Sequence, residues 1–209
     1  MFDYRTDEAL EEIARNFYRR IGLEDRVRPD GMTVITKLKH IDTKFNYCRV
    51  PDREMPQAEA HWYSDEGVLS MRESVFQGMQ RGDARSNFTF YHELAHYLLG
   101  HKGFLNRATK QFTKDISAPL VKHQEAEANR LASILMAPEH LVPEGATAEE
   151  ISEKFGLSLP AAVLRKEEVE RVRRRRRGEL RPLPKGIVEF LKEARARGMN
   201  LKTNLDDYD

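Results

Sequence analysis

Apolar positions along the chain follow helical spacing in some stretches and strand-like spacing in others. Over residues 7 to 21, Leu10, Ile13, Ala14, Phe17 and Ile21 form one stripe. Acids crowd the first turns, Arg19 and Arg20 occupy the last, and Gly22 follows as a stop, so an amphipathic packing helix is predicted. Residues 32 to 38 (Met-Thr-Val-Ile-Thr-Lys-Leu) and 44 to 50 (Lys-Phe-Asn-Tyr-Cys-Arg-Val) are rich in β-branched or aromatic residues between turn formers. Both predict strands. Residues 59 to 63 and 67 to 71 predict a hairpin around Ser64-Asp65-Glu66-Gly67, Glu73 to Met79 a short helix, and Arg81-Gly82-Asp83 a turn.

Phe88, Leu94, Ala95, Leu98 and Leu99 then recur at helical intervals, and neither Pro nor Gly interrupts residues 87 to 99. Residues 101 to 121, with Gly103, Asn106 and Pro119, predict a loop of the kind that lies over a site. A second helix is expected from His123 to Met136, stopped by Pro138. After Pro143 the texture changes. Thr147-Ala148-Glu149-Glu150 fits a capping box opening a helix through Phe155, Gly156-Leu157-Ser158 a tight turn, and Leu159 to Val172 a further helix. That pair resembles a helix-turn-helix unit. Five arginines run from Arg173 to Arg177, and Pro182 and Pro184 precede a last helix from Gly186 to Ala196 with an acidic tail.

The totals narrow the class without naming a chemistry. Of 209 residues, 40% are hydrophobic and 33% charged, as in a soluble globular protein. Lys and Arg number 35 against 34 Asp and Glu, which argues against a wholesale nucleic-acid or membrane-surface role. Cys48 is the only cysteine, so no disulfide framework forms within one chain. The first residues lack a basic and apolar leader, and no apolar run approaches the ~18 residues of a membrane span. A cytoplasmic protein without a membrane partner is expected.

The chemistry concentrates at His92-Glu93-Leu94-Ala95-His96. Residues four apart on a helix share a face, with Cβ atoms about 5–6 Å apart, so His92 and His96 can share one metal ion. Glu93 can then act as general base on a water at that metal. A catalytic zinc takes a third protein ligand. Glu125, Glu127 and His123 are the candidates on the second helix. Glu125 and Glu127 are about 200° apart around the axis, so only one of them faces the metal. The apolar stripe sets Glu125 somewhat nearer the buried face, and spacing alone leaves the choice open.

Asn87-Phe88-Thr89-Phe90-Tyr91-His92-Glu93-Leu94-Ala95-His96 resembles the RFTxAHELGH segment of the ImmA/IrrE family of metallopeptidases. Glu125-Ala126-Glu127-Ala128-Asn129-Arg130-Leu131-Ala132-Ser133-Ile134-Leu135-Met136-Ala137-Pro138 is similar to that family's ExxANxFAxxLLMP signature. The resemblance spans roughly residues 8 to 170. It implies an α+β, zincin-like fold, with a small mixed sheet and the HExxH helix, followed by a small helical unit. Together with the change of texture after Pro143, three segments are expected: a zinc metallopeptidase domain (1–145), a helix-turn-helix-like unit (146–181), and a C-terminal helix and tail (182–209). The implied ligand set is gluzincin-like, with His92, His96 and Glu125 on Zn²⁺ and Glu93 catalytic. Ala95, Leu131, the Met136-Ala137-Pro138 ending and Asn87 depart from the signatures, and the first three keep small or apolar character.

Candidates for an oxyanion donor or a supporting partner are Tyr91, Tyr97, His101 and His123. Asn129, one turn on from Glu125, is placed to orient it. Members of the family act on helix-turn-helix repressors and derepress mobile-element or stress genes, and the resemblance implies such a protein substrate here. The rival reading is a DNA-binding regulator using residues 146–181. Arg165 to Arg181 holds nine basic and four acidic residues. Against it, Glu167, Glu168 and Glu170 on the would-be recognition helix repel phosphates. A third reading makes the same unit a docking surface for the repressor.

Overall fold

Thr6 opens the first helix by accepting a hydrogen bond from the Ala9 amide, and α1 (Asp7–Arg20) follows the predicted stripe. The structure is a computed structural model and describes residues 5–101, 118–179 and 183–199. Leu10, Ala14, Phe17 and Tyr18 are buried along α1, and the Tyr18 hydroxyl donates to the Leu135 carbonyl at 2.6 Å. Each fully buried side chain of this size contributes about 1.5–3 kcal/mol.

The stretch predicted as a first strand at 32–38 is a helix, α2 (Gly31–Ile41). Asp30 caps it, accepting from the Thr33 amide at 2.9 Å and from the Thr33 hydroxyl at 2.6 Å. Val34, Ile35 and Leu38 then fall on one buried face. The β-branched residues favour strand only weakly, and the cap and the helical burial pattern override them.

The other sheet expectations agree with the structure. Strands β1 (Asn46–Val50), β2 (Ala60–Tyr63) and β3 (Val68–Arg72) form one sheet in the order β1-β3-β2. Strand β1 runs parallel to β3, and β2 pairs antiparallel with β3, with Trp62 opposite Leu69. Gly67 closes the hairpin at φ +67°, where a Cβ would lie 2.5 Å from the Lys44 carbonyl oxygen. Only glycine fits there.

Helices α3 (Glu73–Gln80) and α4 (Ala84–Leu99) follow, the second capped by Asp83 through the Ser86 amide at 2.7 Å. Helix α5 (Ala118–Met136) starts earlier than the spacing predicts, so residues 118–121 are helical and not loop. Pro119 sits in its first turn, where a missing amide hydrogen has little consequence. The remainder of the expected loop, 102–117, lies outside the described residues. Helices α4 and α5 pack against each other, with α1 on the far side of α5 and β2 against α4. The result is an α+β fold with a small mixed sheet.

The capping box is present at α6 (Ala148–Phe155): Thr147 accepts from the Glu150 amide, and Glu150 accepts from the Thr147 amide. Helix α7 (Leu159–Arg176) begins after the Gly156 turn. Ile151, Phe155, Ala162 and Val169 join the same hydrophobic core as α1 and α5. The chain divides into two compact units, residues 1–169 and 170–209, the second containing α8 (Lys185–Ala196). Among the described residues, no helix is long and apolar enough to cross a membrane.

One buried cation fastens the first unit together. Arg165 is fully buried, donates to the Ala137 carbonyl at 2.9 Å, and pairs with Glu11 and, at 3.2 Å, with Glu168. The second oxygen of Glu11 accepts the Glu139 amide. Arg165→Met alone strands Glu11 in the core and should lower the unfolding free energy by about 3–5 kcal/mol, whereas Arg165→Met with Glu11→Leu should recover most of the loss. Urea titrations of the two variants test this, and equal losses would show that the charges are not coupled.

Candidate metal centre

Helix α4 presents His92 and His96 on one face because they are one turn apart, and α5 crosses against that face. The two Nε2 atoms lie 3.2 Å apart. Glu125 of α5 reaches them with its carboxylate oxygens, 3.6 Å from His92 Nε2 and 3.4 Å from His96 Nε2. Among the described residues, these three form the one group of His, Cys, Asp or Glu side chains whose donor atoms converge closely enough for a metal ion. Donors around a tetrahedral zinc, at bond lengths of ~2.0–2.1 Å, lie about 3.3 Å apart. The two nitrogens, and His96 Nε2 with Glu125 Oε1, lie close to that edge, while Oε2 is the Glu125 oxygen nearer His92, so the three side chains converge as ligands of one ion and leave a fourth position over.

Glu93 points the other way around the turn, toward the sheet. Its Oε2 accepts the Trp62 backbone N–H at 2.7 Å. Trp62 belongs to β2, an edge strand of the sheet, and its ring is fixed by stacking on Phe45 and an edge contact with Tyr97. The open side of β2 and the face of α4 enclose a cleft of about 430 Å³, lined by Ala60, Trp62, His92, Glu93, His96, His101, Glu125 and Asn129 among others. Glu59 sits in the same cleft, held by Arg85 at 2.6 Å and by the Thr89 hydroxyl at 3.1 Å.

The sequence profile of the IrrE N-terminal-like domain (Peptidase_M78) matches residues 58–166, just over half of the chain. The chain belongs to this family. Among solved structures, a Mycobacterium tuberculosis transcriptional regulator is similar with a TM-score of 0.49 and 13% identity, over 76% of this chain and 46% of that one. This chain therefore spans less than half the length of that regulator. The comparison with curated proteins finds no match.

The matched IrrE-type segment contains both helices of the centre and the β2–β3 hairpin, while α1, α2 and β1 lie before it. The other residues singled out in the sequence scatter. Tyr91 is buried away from the cleft and donates to the Pro29 carbonyl at 3.0 Å, and burial raises the pKa of its hydroxyl. Tyr97 donates to Asp42 Oδ2 at 2.7 Å, and burial followed by that carboxylate raises its pKa too. His123 is half-buried on α5 and does not line the cleft, whereas Asn129 and His101 do.

Glu125 and Glu127 diverge as the 200° argument requires, but the order of burial is reversed. Glu127 is the deeper, at 2% side-chain exposure against 19% for Glu125. Arg5, just before α1, covers the Glu127 side: it pairs with Glu127 at 2.7 Å, and Arg130, on α5, donates to the Arg5 carbonyl. The apolar stripe does not record this second cover. No spacing in the chain points to Trp62 either, since its contribution is a backbone amide thirty-one residues before Glu93.

Burial raises the pKa of Glu93, opposed by the nearby His92 and His96. Burial, with some repulsion from His96, lowers that of His101 to about 4 against the pull of Glu127. A carboxylate with a raised pKa keeps its proton in the folded chain at pH values where the unfolded chain has released it. Its ionisation therefore costs stability as pH rises through that window. Glu93→Gln should stabilise the metal-free chain at pH 8 relative to the unsubstituted chain, with the difference fading toward pH 4. Thermal midpoints of both proteins across that range measure it, and a pH-independent difference would contradict the assignment.

Proposed function

We propose that this chain is a zinc-dependent endopeptidase that hydrolyses a peptide bond in a helix-turn-helix transcriptional repressor and thereby derepresses the repressor's genes. The observation that carries the reading is the set of three donor separations, 3.2, 3.4 and 3.6 Å, beside a buried carboxylate in an open cleft. Membership in the IrrE-type peptidase family supports it. His92, His96 and Glu125 would hold the ion. Zinc bound there would polarise the substrate carbonyl and bring the pKa of a water down towards about 7.

Glu93 takes the proton of the attacking water and returns it to the leaving amine. The Trp62 amide fixes one of its oxygens and so sets the direction of the carboxylate. Burial raises the pKa of Glu93 in the metal-free chain, against the pull of His92 and His96, the direction that strengthens a general base. Strand β2 supports a peptide as the substrate. Trp62 turns its amide away from β3, and alternation places the Ala60 amide and carbonyl on the same open side, within the cleft. An extended chain can add there by backbone hydrogen bonds. The repressor as substrate class follows from the family resemblance.

DNA binding through residues 146–181 is the second reading, and one of the nine basic residues between Arg165 and Arg181 is committed elsewhere: Arg165 is fully buried against Glu11. A gel shift of the full chain at low salt distinguishes this reading, since a peptidase without DNA affinity gives none.

The peptidase reading is tested with the zinc-loaded chain and a candidate helix-turn-helix repressor chosen from the neighbouring open reading frames, cleavage being read by mass spectrometry. Glu93→Gln should keep one equivalent of zinc and lose about 10²–10⁴-fold in cleavage rate. Glu125→Ala should lose the metal. Stoichiometric zinc in Glu125→Ala would overturn the ligand set, and undiminished cleavage by Glu93→Gln would overturn the base.

A further inference from the structure

The two histidines of α4 are supported unequally. His92 Nδ1 is buried and has no hydrogen-bond partner among the described residues. His96 Nδ1 instead lies 2.9 Å from His101 Nδ1. That meeting is produced by the end of the helix. Gly100 adopts φ +64°, and the Gly100 and His101 amides bond back to the Tyr97 and His96 carbonyls. This reversal is the turn that glycine permits at a helix C-terminus. It brings His101 from beyond the helix to rest against the ring of His96.

Two imidazole nitrogens at hydrogen-bond distance share one proton, and the chemistry decides which one carries it. If His96 Nε2 offers its lone pair to a metal ion shared with Glu125 and His92, the His96 proton must sit on Nδ1. His96 Nδ1–H then donates, and His101 Nδ1 accepts through its own lone pair. His101 is thereby fixed with its proton on Nε2, which lies 3.2 Å from Glu127 Oε2. The same carboxylate oxygen accepts from Arg5 at 2.7 Å. Every donor in this sequence meets an acceptor, and the order Arg5, Glu127, His101, His96 has only one consistent arrangement of protons.

We propose that His101 is a positioning residue for the metal centre. Backed by Glu127 and Arg5, it holds His96 in the tautomer and ring orientation that free Nε2 for a metal ion. The inference rests on the metal reading given above. Ligating histidines ordinarily donate their second N–H to a carboxylate, a carbonyl or water. Here an imidazole stands between the ligand and the carboxylate. The arrangement accounts for two side chains that are otherwise costly to bury, His101 at 9% and Glu127 at 2% exposure. It also removes His101 from the oxyanion donors, because its one N–H is committed to Glu127. Arg5, the outer end, lies before the segment matched by the family, so that part of the support comes from this chain's own N-terminal residues.

The full chain with ¹⁵N-labelled histidine and one equivalent of zinc provides the test. Imidazole spectra should show His96 protonated on Nδ1 and His101 protonated on Nε2. His101→Phe should weaken zinc binding by about 10–100-fold in competition with a chelator, and Glu127→Ala should weaken it in the same direction. A His101 protonated on Nδ1, or a folded His101→Phe that binds zinc as tightly as the unsubstituted chain, would overturn the proposal while leaving the metal site standing. If the unsubstituted chain took up no zinc, the metal reading itself would fall. Should His101→Phe not fold, the tautomer measured in the unsubstituted chain decides.

Discussion

Helix α4 lying against helix α5 is the constraint on which the rest of the cleft depends. The contact buries His92, His96, Glu93 and Glu127 together, and charged or titratable groups stay buried only where each finds a partner. The helices are therefore held to a narrow range of offsets. A shift of one turn, about 5.4 Å, would carry Glu125 away from the histidines and leave Glu127 without His101. Apolar packing by Leu94, Ala95, Ala128, Leu131 and Ala132 supplies the adhesion, and the small residues permit the close approach. The polar partners select the register.

Around that contact the fold places two kinds of support. On the cleft side, strand β2 fixes the direction of Glu93 through a backbone amide, and the Phe45, Trp62 and Tyr97 rings keep the strand in position. On the other side, Arg5 pairs with Glu127 of α5, and Arg130 of α5 pairs with Asp7 at the start of α1. Farther out, Arg165 joins α7 to α1 and to the corner after α5. Single cations, of which Arg165 is fully buried, thus hold this scaffold at points where apolar packing alone would allow sliding. Such pairs are poor sources of net stability but strong determinants of which arrangement is kept, because any other leaves a charge bare.

Much of the architecture is legible locally. The hairpin at Ser64 to Gly67, the capping box at Thr147, and the helices bearing His92 and Glu125 all follow from short-range patterns. The failure at α2 is instructive. Thr33, Val34, Ile35 and Thr36 favour strand by composition, yet Asp30 caps a helix whose apolar residues share one face. Composition there was weaker than one cap and a burial pattern spread over two turns.

By itself the sequence determined the local geometry of the centre: His92 and His96 on one helical face, Glu93 beside them, and Glu125 opposed in direction to Glu127. The tertiary structure alone decided which faces meet. It brought Glu125 to the histidine pair where spacing left the choice open and only the family signature favoured it, turned Tyr91 and Tyr97 to Pro29 and Asp42, brought the Trp62 amide to Glu93, and set His101 between His96 and Glu127. The reason is physical. Periodicity along a chain records which side of an element is buried, but not what covers it, and the partners here lie between 5 and 122 residues apart.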